Sequence, residues 1–251
     1  MNRRAEVAME KRGDVSMFMV HLTRDDRNVR TEEQGGRNAL DNFINILETR
    51  TICALGIHCY HGEYLRKLSA EDQKQFQVSC FTETPLDQIA KLLNVGSRKI
   101  NLEAFGFVFK REFLYSKGAQ SAIYINDYGP NQLRDAVNCI YEIGEKNGFA
   151  GRSWPLLPFV NVMHNGHDFM WEREYRVLGD VVFELEDLVC VVLPEDEYKL
   201  RERLGRMGIA AIDPAWGFEK AIMELASQQC KTRKVWKKLS TDAMKSESST
   251  K

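Results

Sequence analysis

Apolar residues along the chain gather in short runs with two different periods. Ser16-Met-Phe-Met-Val-His-Leu22, Gln77-Val-Ser-Cys-Phe-Thr82, Phe105-Gly-Phe-Val-Phe109, Gln120-Ser-Ala-Ile-Tyr-Ile125 and Leu188-Val-Cys-Val-Val-Leu193 have strand length and composition. Phe105, Phe107 and Phe109 fall on one face of their strand and are assigned to the core. Trp171-Glu-Arg-Glu-Tyr-Arg-Val177 alternates, which places Glu172, Glu174 and Arg176 on one strand face. Helical spacing appears from Arg37, where Leu40, Phe43, Ile44 and Leu47 recur at i, i+3, i+4 and i+7. Ser69 caps a short helix, and Thr84-Pro85 opens another with Leu86, Ile89, Leu92 and Leu93 on one side. Arg111 to Gly118 fits a turn or two of helix, and residues 131–147 fit a longer one closed by Asn147-Gly148. Residues 149–169, with two prolines and Asn165-Gly166, read as a long loop or crossover. Helices over 195–204 and 216–239 flank a short strand, Ile209-Ala-Ala-Ile212.

Strands and helices follow one another without regular β–α alternation. The expected class is therefore α+β, a mixed or antiparallel sheet with helices packed outside. A single domain over 15–239 is expected, with a flexible start (1–14) and a disordered Ser/Thr/Lys/Glu tail (240–251).

Composition narrows the functional classes. Of 251 residues, 43% are hydrophobic and 28% charged, enough apolar surface to build a core. Thirty-five basic against 36 acidic residues argue against a whole-molecule grip on nucleic acid. The run Lys231-Thr-Arg-Lys-Val-Trp-Lys-Lys238 is a local basic patch that reads either as a nucleic-acid footprint or as a solvated helix end. No apolar run has membrane-helix length and the N-terminus has no apolar signal core, so a cytoplasmic protein with no membrane partner is expected. The six cysteines form no Cys-x-x-Cys pair and read as free thiols. His58/His61 and His164/His167 have a spacing that zinc accepts; without thiolate pairs they read as loop histidines, and no metal is assigned.

The residues with most chemical content are His21 at a strand end beside Thr23, Phe81-Thr82-Glu83, Lys110-Arg111, and Glu172 with Glu174. Each could serve as an ordinary strand end. Their order along the chain, with Cys80-Phe-Thr-Glu-Thr-Pro-Leu86, Phe105-Gly-Phe-Val-Phe-Lys-Arg-Glu-Phe-Leu114, Lys117-Gly-Ala119 and Trp171-Glu-Arg-Glu-Tyr-Arg-Val177, resembles the AbiG-type abortive phage infection family over roughly residues 17–195. Phe-Thr-Glu-x-Pro-Leu and Glu-Arg-Glu-Tyr-Arg are the specific elements. The resemblance implies phage defence, as an antitoxin in a two-gene toxin–antitoxin system.

The order of an early His-x-Thr, a basic residue after a central aromatic strand and a late Glu before an aromatic is also similar to DarT-like ADP-ribosyltransferases. That similarity implies a transferase-like fold and an NAD site acting on nucleic acid. His21 would hydrogen-bond the nicotinamide ribose, with Thr23 and Phe81 beside it. Lys110 or Arg111 would sit near the phosphates or the acceptor, and Glu174 would be the catalytic carboxylate, with Glu172 sharing its work. Cleaving the nicotinamide bond develops positive charge on the ribose, which a fixed carboxylate stabilises more than the ground state. The other reading is a non-catalytic antitoxin that binds a toxin partner or operator DNA. The transferase reading requires His21, Arg111 and Glu174 to converge on one cleft.

Overall fold

The computed structural model describes residues 15–27, 36–93, 95, 101–149, 154–163 and 169–228. The segments 1–14 and 240–251, the 231–238 patch and the His164/His167 pair lie outside them. Seven strands form the central sheet: β1 (Phe18–Arg24), β3 (Val78–Glu83), β4 (Leu102–Lys110), β5 (Gln120–Ser121), β8 (Glu174–Leu178), β10 (Leu188–Val192) and β11 (Ala211–Ile212). Their order is β11-β10-β4-β1-β3-β8-β5. Neighbours are antiparallel except β10 and β11, so the sheet is mixed and the class is α+β. Two small ribbons accompany it, β2 (Thr51–Ile52) with β9 (Val181–Val182), and β6 (Ile123–Asn126) parallel to β7 (Val160–Met163).

Alternation along β1 sorts its side chains between two packed faces. Met19 joins Phe81, Phe107, Phe109 and Val177 beneath α1 (Ala39–Thr49), which contributes Phe43, Ile46 and Leu47. Val20 and Leu22 join Val108, Cys190 and Val192 on the reverse face, covered by Ile89 and Leu92 of the 3-10 turn Leu86–Leu92. Asn38 caps α1 by accepting from the Asp41 amide, and Thr23 Oγ1 lies 2.8 Å from the Ala39 carbonyl, so cap and hydroxyl both fix where the helix starts on the sheet. A third cluster joins β6 and β7 to α5 (Gln132–Lys146) through Val137, Ile125, Val160 and Phe149. The short helices α2 (Gly62–Leu65) and α3 (Ala70–Gln73) lie in the segment between β2 and β3, α4 (Arg111–Ser116) follows β4, and α6 (Tyr198–Arg206) precedes β11. Residues 218–228 are helical, and the remainder of the expected 216–239 helix lies outside the described residues.

Gly106 permits the closest strand approach. A Cβ there would fall 2.4 Å from the His21 carbonyl oxygen and 2.8 Å from Leu22 Cδ2. Backbone has nowhere to move in a strand paired on both sides by β1 and β10. Gly106→Ala is expected to cost about 1–3 kcal/mol through overpacking, measured as a lower urea midpoint; an unchanged midpoint would mean that the strands part freely.

Three expectations need correction. The run 120–125 is not one strand: Ala122 separates β5 in the central sheet from β6 in the small ribbon, because the chain changes sheets there. The segment 149–169 is not a plain loop, for it contains the 3-10 turn Trp154–Phe159 and β7. The alternating run from Trp171 is a strand only from Glu174. Met170–Glu172 is a 3-10 turn closed by Arg173 in the left-handed region (φ 46°), so Glu172 is not on the strand face of Glu174. Alternation of charge does not report backbone handedness.

Candidate functional site

Strand register decides which of the expected residues can meet. Val20 pairs with Thr82 and Thr82 with Glu174, so these three project from one face. His21, the next residue along β1, projects from the other. It stands opposite Phe107, its ring centroid is 5.7 Å from that of Phe81, and Nδ1 is 2.9 Å from the Cys80 carbonyl. Burial holds the imidazole below its usual range. His21 and Glu174 therefore occupy opposite sides of the sheet, and the expected convergence is not found.

The other members of the set are placed as follows. Thr23 is buried, its hydroxyl within reach of the Ala39 and Phe105 carbonyls at 2.8 and 3.2 Å, and Phe81 is a core residue. Neither presents a surface to a cofactor. Lys110 is exposed at the end of β4. Arg111 opens α4, is 2% exposed, and directs Nη2 to within 3.7 Å of Glu83 Oε2. Glu83 also accepts from the Ser16 amide at 3.3 Å and from Arg173 Nη1 at 3.4 Å. Arg111 thus belongs to an ionic group around Glu83, on the face shared by Met19 and Phe81, and away from the side on which Glu174 projects.

Glu174 has its own group. Its two oxygens take a fork from Arg176, Nε to Oε1 at 2.9 Å and Nη2 to Oε2 at 2.7 Å. Arg176, 1% exposed, spends Nη1 on the Pro158 carbonyl at 2.6 Å. The Tyr124 hydroxyl, from β6, donates to Glu174 Oε2 at 3.2 Å. Cys80, paired with Arg176 across β3 and β8, shares this face. Burial alone would raise the Glu174 carboxyl, but the charge and hydrogen bonds of Arg176 outweigh it and hold the group below the ordinary carboxylate range. Burial and then the neighbouring carboxylate push the Tyr124 phenol and the Cys80 thiol upward. His58, folded over Gly56 so that a Cβ there would meet Nε2 at 2.0 Å, is lowered to about 4 by the surrounding protein and by Arg176.

This arrangement ties two parts of the fold together. Glu174 and Arg176 belong to the central sheet, while Tyr124 and Pro158 belong to the β6–β7 unit. Chemically it is a neutralised pair: a carboxylate with both oxygens engaged is a poor base, and a thiol and phenol raised in this way are poor nucleophiles at neutral pH. Sequence reasoning found Glu174 and its shared face with Arg176, but missed Tyr124, Cys80 and Pro158 as its neighbours: Cys80 meets the pair through the pairing of β3 with β8, and Tyr124 and Pro158, which carry no motif, arrive only with the sheet change at Ala122.

His61, the described partner of His58 in the His-x-x-His pattern, stacks on Tyr141 (centroids 4.4 Å apart, 3° between planes) and contacts Asn138 Oδ1 at 3.1 Å. Among the described residues, no group of three or more His, Cys, Asp or Glu side chains is arranged to hold a metal ion. Among the same residues, no helix is long and apolar enough to cross a membrane. Cys53, Cys59, Cys80, Cys139 and Cys190 are free thiols.

The chain matches no family model, no curated protein and no solved structure.

Proposed function

We propose that the protein is a binding member of a phage-exclusion pair, acting by association with a partner macromolecule and not by turnover of NAD⁺. One observation carries this reading. Phe81-Thr-Glu83 and the Glu174-Tyr-Arg176 part of Glu172-Arg-Glu-Tyr-Arg176, from the two segments that most specifically resemble the AbiG-type family, lie on adjacent strands paired through Thr82 and Glu174, and their acidic residues, Glu83 and Glu174, are consumed by arginines. Glu83 is bound by Arg173 and lies near Arg111; Glu174 is bound by Arg176. Charged residues used in this way build a rigid scaffold and leave recognition to the surface, which suits an antitoxin better than a transferase.

A transferase would keep its late carboxylate free to face the ribose and its early imidazole on the same side. Here the first is clamped and the second is on the reverse face, supporting the binding alternative.

Titration calorimetry of the full chain with NAD⁺, in the absence and presence of single- and double-stranded DNA, tests the proposal together with an assay of nicotinamide release. The expected result is neither heat of binding nor release. Saturable NAD⁺ binding or nicotinamide release by the wild-type chain would overturn it and restore the transferase.

A further inference from the structure

A cavity of about 540 Å³ opens between α6 and the helical residues 218–228, with Ile209 and Ala211 in its apolar lining. That volume is in the range of pockets that take a ligand. Gly205 of α6 helps to keep it open, since the nearest atom to a Cβ placed there is Gln228 Nε2, at 3.5 Å. Three carboxylates, Glu195, Glu202 and Glu224, share the wall with Arg201 and Arg206. The cations are engaged. Arg201 gives Nε to the Pro194 carbonyl at 2.9 Å, Nη1 to that of Ala211 at 2.7 Å and Nη2 to that of Leu193. Arg206 pairs with Glu202 at 2.9 Å, and Lys220 with Glu195 at 2.7 Å. Glu224 differs from the other two acids: half-buried, it accepts from Gln228 Nε2 at 3.2 Å and has no ion pair among the described residues. Burial lowers the Arg201 guanidinium, and Asp213, Glu224, Glu195 and Asp196 all act in the opposite direction, so the field at this wall is negative. Trp216 borders both this cavity and a smaller apolar recess beside Phe218 and Ile222, which are 63% and 46% exposed. Lys220 and Arg201 lie 4.3 and 4.6 Å from the centroid of its ring, so the site already seats cations on an aromatic face.

We infer that this face docks a basic, amphipathic segment of a partner protein, an arginine or lysine entering the cavity toward Glu224 and an adjacent apolar side chain covering Phe218 and Ile222. Charge complementarity selects the partner. A long cationic side chain lays its methylenes on Ile209 and Ala211 and brings its head to a half-buried carboxylate, which gains a counter-ion in the exchange. A nucleic acid does the reverse, since each phosphate brought to this wall meets carboxylates. The apolar side of the segment has its own seat: Phe218 and Ile222 are one helical turn apart and present a single exposed ridge next to the cavity. The inference rests on the proposed binding role and narrows its partner to a basic protein.

Fluorescence anisotropy of the full chain with a labelled peptide of arginine and leucine in amphipathic helical order gives the test. The same peptide with glutamate in place of arginine, and a double-stranded DNA, are the other probes. Saturable binding of the arginine peptide alone is expected, weakening as salt is raised. Glu224→Gln removes the charge and keeps the shape, and is expected to raise the dissociation constant by about 10-fold, the loss of one charge-assisted contact. Gly205→Leu fills the cavity from a helical position and is expected to weaken binding in the same direction. No binding of the arginine peptide, equal binding of the glutamate peptide or the DNA, or an affinity unchanged in either variant that keeps the wild-type circular dichroism spectrum would each overturn the inference. Nicotinamide release would instead remove the binding role beneath it, so the two failures are told apart.

Discussion

Glu174→Gln is expected to lower stability at pH 7 by about 3–5 kcal/mol, the cost of leaving one member of a buried ion pair alone. The partner left behind is Arg176, 1% exposed and bonded on its other side to Pro158. A guanidinium cannot shed its proton, so the charge stays in the interior with nothing to balance it. Arg176→Met leaves Glu174 instead, and a carboxyl in apolar surroundings escapes by taking up a proton. The acid variant should therefore be the more damaging of the two. Glu174→Gln with Arg176→Met together should recover most of the loss, since removing both charges removes the desolvation problem as well. The pH dependence follows from the lowered carboxyl. With the folded value below the ordinary 4.5, the ion pair contributes fully above about pH 4.5 and its contribution is lost as pH falls through the folded value. Urea denaturation should show the gap between wild type and Glu174→Gln wide at pH 7 and closing below pH 4.5. A gap of the same width at every pH would show that the pair is not the source.

The parts of the fold that could be read from the sequence are those where local pattern and tertiary packing agree. The heptad-like apolar spacing from Leu40 to Leu47 gives α1, the Ser69 cap gives α3, and Phe105, Phe107 and Phe109 are core or packed against it, as their alternation requires. At Thr84-Pro85 the helix is present but wound as a 3-10 turn, a difference apolar spacing over seven residues does not resolve. The apolar runs stop one or two residues short of the ends of β1 and β3, because the last paired residues, Arg24 and Glu83, are charged and look like loop.

The site was less legible, for a topological reason. Along one strand, alternation tells which side chains share a face. It cannot tell which face of one strand continues into which face of another, since a shift of one residue in pairing reverses the answer. His21 and Glu174 are joined through β3, and the pairing of Val20 with Thr82 and of Thr82 with Glu174 sets them on opposite sides. A pairing displaced by one residue would have put them together. The Arg173 conformation compounds this by removing Glu172 from the strand.

Phe43→Ala is expected to cost about 3–5 kcal/mol, comparable with the loss of the acid at 174 but different in kind. Phe43 is fully buried, and its ring stacks on Phe107 with centroids 4.7 Å apart and 15° between planes; Phe105 lies at 6.3 Å on its other side. Phe107 is held by β1 and β10 on either side, through His21 and Val191, so the sheet cannot close over the space. The helix is equally constrained, with its first residue tied to β1 by Thr23 and its last turn closed by the Arg50 amide on the Ile46 carbonyl. With neither layer able to collapse, both the lost transfer energy and the cavity are felt. No titrating group is involved, so the loss should be the same at pH 7 and at pH 4, in contrast to Glu174→Gln. The two variants together should be nearly additive, as Phe43 packs from α1 against one face of the sheet, Glu174 projects from the other, and they share no partner. A Phe43→Ala protein whose urea midpoint matched the wild type would mean that α1 is not anchored through this ring. A deficit that closed in acid would instead place the coupling in the ionic groups on the two sheet faces.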